Sequence, residues 1–86
     1  MAGTFTLAEF REIATGSLGV PEEEFVDDPT RPLYDVGLDS LAVAELFNEV
    51  ARRYHVEVPD DAAAGMDTVQ DVISYVNRLL ASGSPA

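Results

Sequence analysis

Three segments of this chain space their apolar residues three and four apart, the period of a helix that buries one side. In the first, Leu7, Phe10, Ile13 and Ala14 share a face. Thr6 and Glu9 stand at capping-box spacing ahead of them, and Phe5 and Phe10 occupy the two positions of a hydrophobic staple. These signals predict a helix over about residues 7–17. The middle segment, from about Ser40 to Tyr54, brings Val43, Leu46, Phe47, Val50 and Tyr54 to one side, flanked by Ala44 and Ala51. Its opposite side carries Glu45, Asn48, Glu49 and Arg52, with Leu41 projecting into that polar surface. In the last segment Val69, Val72, Ile73, Val76, Leu79 and Leu80 form one stripe. Thr68 precedes Asp71 by three residues and Ser82-Gly83 closes the run, predicting a helix over about 69–81. Between them, Asp60-Asp61-Ala62-Ala63-Ala64-Gly65 suits a single short helical turn.

About twenty residues separate the first two helices, a length that a small domain tolerates when the loop packs down or carries function. Phe25, Leu33, Tyr34 and Val36 are its expected anchors, and the runs Glu22-Glu23-Glu24 and Asp27-Asp28 read as solvated. The expected architecture is all-α: a small four-helix bundle of three longer helices and one short, with a long loop between helices 1 and 2. One domain spans residues 1–86, ordered over about 5–81, with 82–86 as a flexible tail.

Size and charge exclude several functions. Eighty-six residues enclose one small core and leave no room for a deep active site. The formal net charge of −11, from sixteen acidic residues against five arginines and no lysine, repels nucleic acid and anionic membranes and favours partners with basic surfaces. Without cysteine, and with His55 as the single histidine, the chain lacks an ordinary zinc or copper ligand set. Asp35, Gly37 and Asp39 begin like a calcium loop, but the twelfth position is Leu46, where a bidentate glutamate is required. No metal is expected. No run is long enough to span a bilayer, and the N-terminus lacks an export signal, so the reading is a cytoplasmic protein, monomeric in solution.

Ser40 stands in the turn-forming stretch Asp35-Val36-Gly37-Leu38-Asp39-Ser40-Leu41, which runs straight into the middle helix. A helix start offers unpaired N–H groups and the positive end of the macrodipole, so a phosphate on Ser40 would sit where the backbone favours negative charge. A hydrolase nucleophile would need a base in reach. His55 lies fifteen positions on, roughly 22 Å along a continuous helix, and the Gly-x-Ser-x-Gly elbow is absent. His55 reads better as a C-terminal helix residue favoured by the dipole, and Glu49 as a local partner of Arg52 and Arg53. As an N-cap, Ser40 competes with Asp39, which caps at least as well. Two capping residues in succession suggest another use for one of them, leaving a modified serine and a plain cap as the open alternatives.

The motif Asp35-x-Gly37-x-Asp39-Ser40-Leu41, opening a helix in an acidic chain of this size after a long first loop, strongly resembles the acyl carrier proteins of fatty acid and polyketide synthesis. The resemblance runs from Phe5 to about Leu80. Arg53-Tyr54-His55-Val56-Glu57-Val58-Pro59-Asp60-Asp61, with Ala64-Gly65-Met66-Asp67-Thr68, is most similar to the freestanding carriers of bacterial aromatic (type II) polyketide synthases. The resemblance implies that Ser40 receives 4′-phosphopantetheine from coenzyme A through a separate phosphopantetheinyl transferase using magnesium. The arm would supply the one thiol that a cysteine-free chain lacks. Thioester-bound acyl or polyketide chains would then travel on it, with no catalysis by the carrier itself. It further implies that Asp39 helps position the transferase or its metal, that Gly37 allows the presenting turn, and that Leu41, Glu45, Asn48 and Glu49 read partners. Those partners would be the transferase, the ketosynthase/chain-length factor, an acyltransferase and tailoring enzymes, each with a basic docking surface. Plainer roles stand beside these: Asp39 as cap, Gly37 as turn residue, Glu45 as solvated charge. Fatty acid carriers keep the exposed side of the second helix strongly acidic, whereas here Ala42 and Val43 follow Leu41, and Arg52 and Arg53 close the helix. The expectation is a type II polyketide carrier; a fatty acid or peptidyl carrier, an unmodified acidic interaction module and a small serine hydrolase are the alternatives.

Overall fold

The first helix, α1, begins at Leu7 because Thr6 caps it: the Thr6 hydroxyl accepts from the Glu9 N–H at 3.4 Å. The same hydroxyl donates to the Glu9 carboxylate at 3.0 Å, so the glutamate answers the threonine side chain rather than its backbone, a variant of the expected capping box. The staple is in place, with the Phe5 and Phe10 rings edge-on and 6.4 Å apart. The structure, a computed structural model, describes residues 4–25, 28–59 and 61–82. Asp27, Asp60 and the tail beyond residue 82, which the sequence reading placed in acidic runs and a flexible end, lie outside the described residues.

The helical path covers the expected 7–17, but not as one α-helix. Leu7–Glu12 is α-helical and Ile13–Ser17 is a π-helical turn, in which the Leu18 N–H reaches back five residues to the Ile13 carbonyl at 3.1 Å. Ile13 and Ala14 remain fully buried through the widening. The second helix, α2, spans Ser40–Tyr54 and stops at His55, which takes a left-handed conformation at φ 55°. The third, α3, spans Val69–Ser82. It opens on a reciprocal box: Asp71 N–H donates to Thr68 Oγ1 and Thr68 N–H to Asp71 Oδ2, both at 3.1 Å. The short turn expected before α3 is a 3₁₀ turn, Ala62–Gly65. Among the described residues the chain is all-helical with short turns, and an isolated bridge pairs Pro32 with Thr68.

That bridge fastens the long connection. Leu33 N–H donates to the Asp67 carbonyl at 2.9 Å, while the Arg31 and Pro29 carbonyls accept from Val69 and Gln70 N–H at 3.2 and 2.7 Å. The loop thereby satisfies the Leu33 N–H and supplies acceptors to the first N–H groups of α3, which have none within the helix. Two 3₁₀ turns, Glu22–Glu24 and Leu33–Val36, shape it. Phe25, Leu33 and Val36 are buried anchors as expected, but Tyr34 is not: it is 79% exposed. A 3₁₀ turn repeats every three residues, so Leu33 and Val36 share the inward side and Tyr34 between them faces out. Leu38, 1% exposed, does the anchoring that the sequence reading gave to Tyr34. At the other end of the molecule the Asn77 side chain of α3 clasps the backbone of Phe5. Its oxygen accepts from Phe5 N–H at 2.7 Å and its amide donates to the Phe5 carbonyl at 2.9 Å. The core between the three helices is apolar throughout, with no buried polar or charged residue among the described ones.

Candidate functional site

Ser40 is the first residue of α2 and is exposed. What placed it there is the alternation around it: Val36 and Leu38 are buried at 0% and 1% exposure, so the chain is pinned on both sides of Gly37 and turned outward at Asp39 and Ser40. Gly37 sits at φ 83°, and its N–H donates to the Tyr34 carbonyl at 3.1 Å. An added Cβ there would meet only Val20 Cγ1 at 3.8 Å, so the position demands glycine for its left-handed backbone and not for space. Leu38 N–H then closes onto the Leu33 carbonyl at 3.0 Å, locking the turn.

The competition between two capping residues is resolved by Asp39. Its backbone is extended, at φ −89° and ψ −178°, and its carboxylate accepts from the Ala42 N–H at 2.8 Å. Among the described residues the Ser40 hydroxyl makes no hydrogen bond, and neither do the N–H groups of Ser40 and Leu41. A nucleophilic oxygen thus stands uncommitted beside two uncommitted donors at the positive end of a helix of 15 residues. The hydroxyl opens on a cleft of about 200 Å³ whose lining includes Leu33, Tyr34, Leu38, Val43 and Met66.

The other singled-out side chains fall along one side of α2. Leu41 is 69% exposed, and Glu45 and Asn48 are exposed. Glu45, Asn48, Glu49 and Arg52, together with Ser17 and Leu18 from the end of the π turn, line an open groove of about 450 Å³. Glu49 differs from Glu45 in being held: Arg53 Nε donates to it at 3.1 Å and Arg52 pairs with its other oxygen. Those hydrogen bonds, from Arg53 first and Arg52 second, keep the Glu49 carboxyl below its ordinary range. Arg53 also reaches Glu12 on α1 at 3.0 Å. His55 sits beyond the far end of an unbroken α2, roughly 22 Å from Ser40 along the axis, and cannot serve it as a base. Among the described residues no three carboxylate, histidine or cysteine side chains converge as a metal would require, and no helix is long and apolar enough to cross a membrane. Sequence reasoning missed Leu38 and Met66 as walls of the cleft; for Leu38 the signal was available in its spacing of two from Val36 across a glycine.

Residues 8–76 match the family model for a phosphopantetheine attachment site. The chain belongs to the acyl carrier proteins. The carrier is 41% identical over 76 residues to the anthracycline acyl carrier protein DpsG of Streptomyces peucetius, covering 87% of this chain and 90% of the relative. It is 38% identical over 76 residues to the meromycolate extension acyl carrier protein of Mycolicibacterium aurum, with 85% and 71% covered. The actinorhodin holo acyl carrier protein of S. coelicolor has the same fold, with a TM-score of 0.82 at 29% identity over 98% of this chain and 100% of that one. The prosthetic group of the carrier is therefore 4′-phosphopantetheine. Carriers of this family meet a phosphopantetheinyl transferase and the enzymes of a synthase.

Proposed function

We propose that Ser40 is the residue that takes 4′-phosphopantetheine, and that the loaded carrier moves thioester-bound intermediates between the enzymes of a type II polyketide pathway. The observation that carries this reading is the exposed Ser40 hydroxyl, left out of the cap that Asp39 makes. In loading, Ser40 Oγ forms a bond to the pantetheine-side phosphorus of coenzyme A. The bond from that phosphorus to the bridging oxygen breaks, adenosine 3′,5′-bisphosphate leaves, and the serine proton passes to a base of the transferase. The resulting phosphodiester anion lies beside the Ser40 and Leu41 N–H groups, where the helix dipole favours it. When bound, the arm supplies the thiol on which acyl groups ride.

The carrier itself performs no chemistry and acts as a monomer in the cytoplasm. We read it as a four-helix bundle, with Ala62–Gly65 in the place of the short helix and residues 18–39 as the long loop. Asp39 and Gly37 present the serine. Leu41, Glu45, Asn48 and Glu49 form the face read by the transferase, the ketosynthase/chain-length factor, the acyltransferase and tailoring enzymes, with Glu49 acting through the arginines it holds. The anthracycline and actinorhodin relatives support the polyketide assignment. So does the compensated Glu49, which leaves α2 less acidic toward partners than its composition suggests. A fatty acyl cargo is the second reading, favoured by the meromycolate extension relative.

Incubation with coenzyme A, magnesium and a broad-specificity transferase, followed by intact mass measurement, tests the assignment. Wild type gains the mass of one phosphopantetheinyl group and Ser40→Ala gains none. A mass gain in Ser40→Ala, or none in wild type while a control carrier is modified, defeats it. The acyl groups found on protein from its native host separate the two cargo readings.

A further inference from the structure

We propose that Tyr34 is a docking residue for the transferase that loads the carrier, an apolar anchor contributed by the loop as Leu41 is contributed by the helix. This rests on the reading of Ser40 as the attachment point. Among the described residues the large apolar side chains left exposed are Tyr34, at 79%, and Leu41, at 69%. Single exposed apolar residues are ordinary on a protein surface. These two, however, both adjoin Ser40: Tyr34 lines the same cleft as the serine, and Leu41 follows it in the chain.

The 3₁₀ geometry turns Tyr34 outward, but it does not call for a large apolar side chain at that position. Its ring has no aromatic partner and its hydroxyl no hydrogen bond among the described residues, so it adds nothing to the core. Its backbone is nonetheless fixed, because its carbonyl accepts from Gly37 N–H at 3.1 Å and the turn is tied to α3 through Leu33 and Asp67 at 2.9 Å. A side chain offered from a fastened turn loses little freedom when it is covered, which favours binding.

Geometry identifies what covers it. A transferase must bring its reacting atoms to Ser40 Oγ, and a specific interface buries about 800 Å² on each partner. A patch of that size centred on Ser40 extends on the order of 16 Å in every direction, so it takes in both rims of the serine's own cleft. The charge pattern specifies the partner further. Glu49 is compensated by Arg52 and Arg53, which among the described residues leaves Glu45 as the carboxylate without an ion pair on the exposed side of α2. The cleft beside Ser40 also carries the carboxylates of Asp39 and Asp67, so the matching enzyme surface is an entrance with apolar side chains opposite Tyr34 and Leu41 and cationic groups opposite these acids and Glu45. Attraction at a distance comes from the net charge of −11, while Tyr34 and Leu41 supply the apolar anchors of the contact.

Initial loading rates, followed by intact mass with coenzyme A, magnesium and a broad-specificity transferase, decide the matter. Tyr34→Ala lowers kcat/KM by about tenfold through KM, with kcat nearly kept, as loss of an aromatic anchor predicts. Tyr34→Phe retains the wild-type rate within about twofold, and Tyr34→Gln, which preserves bulk but not apolar contact, behaves like alanine. Thermal midpoints of all three match wild type. A Tyr34→Ala rate within about twofold of a wild type that loads normally overturns the inference and leaves the Ser40 assignment standing. A Tyr34→Phe loss as large as that of alanine overturns the apolar role. Absence of loading in wild type overturns the attachment reading itself.

Discussion

A serine at a coil-to-helix junction is available for chemistry only if something else caps the helix. In this carrier Asp39 does so, through a 2.8 Å bond from the Ala42 N–H. The division of labour was half legible: two adjacent residues with capping side chains announced that one was spare, but either could have been the cap until their backbone angles were known. Asp39→Ala removes the side-chain acceptor and lowers unfolding stability by about 1 kcal/mol, while Asp39→Asn keeps most of it. Urea titration reads the difference, and equal stabilities for wild type and Asp39→Ala would refute the cap. Gly37 was legible for a different reason, since a turn that reverses the chain between two buried residues at φ 83° tolerates little else.

The elements show where local pattern stops being informative. The stripes of α2 and α3 were read from spacing alone, and Val43, Leu46, Val50, Val72 and Val76 are buried as that spacing requires. The π turn over Ile13–Ser17 was not, because inserting an extra residue into one turn leaves the apolar order unchanged and only shifts the register after it. The join between α1 and α2 depends on Tyr54, whose hydroxyl donates to Glu9 and whose ring meets Phe5 edge-on at 5.9 Å. Burial, followed by the neighbouring Glu9, pushes the Tyr54 phenol up to about 12. In the unfolded chain the same group titrates near about 10. The folded state therefore holds a proton that the unfolded state has lost between those values. The contribution is intact below pH of about 10 and declines as pH rises toward about 12. Urea unfolding at a series of alkaline pH values gives a falling stability in wild type and a flatter profile in Tyr54→Phe. Identical slopes in the two proteins would show that Tyr54 is not the group responsible.

At the scale of the whole molecule, the site is held by contacts between distant parts of the chain. The loop that presents Ser40 is bound to the start of α3 by hydrogen bonds from Leu33, Val69 and Gln70. Phe5 and Asn77, 72 residues apart in sequence, close the opposite end. Amide hydrogen exchange should reflect this partition. The N–H groups of Leu33, Val69 and Gln70 exchange slowly, protected by opening of the packed loop, while those of Ser40 and Leu41, lacking acceptors, exchange at rates near those of an unstructured peptide. Fast exchange at Leu33 and Gln70 would mean that the loop is not fastened to α3 and that the serine is presented by a mobile segment.

The chain's own pattern established the three helices, the N-terminal caps of the first and third, the acidity and the one serine set at a helix start, because each depends on residues within a turn or two of one another. It did not establish that Leu38 turns inward while Tyr34 turns outward, that Asn77 reaches the backbone of Phe5, or that Glu45 has no ion pair among the described residues. The first depends on which side of a 3₁₀ turn meets the core, and the second on which parts of the chain packing brings together. The pairing of Glu49 with Arg52 and Arg53 was read from spacing, but that Glu45 has no ion pair among the described residues emerged only with the assembled surface. Local pattern makes the hydroxyl a candidate; tertiary packing makes it accessible and brings Tyr34, Met66 and Asp67 to the cleft beside it.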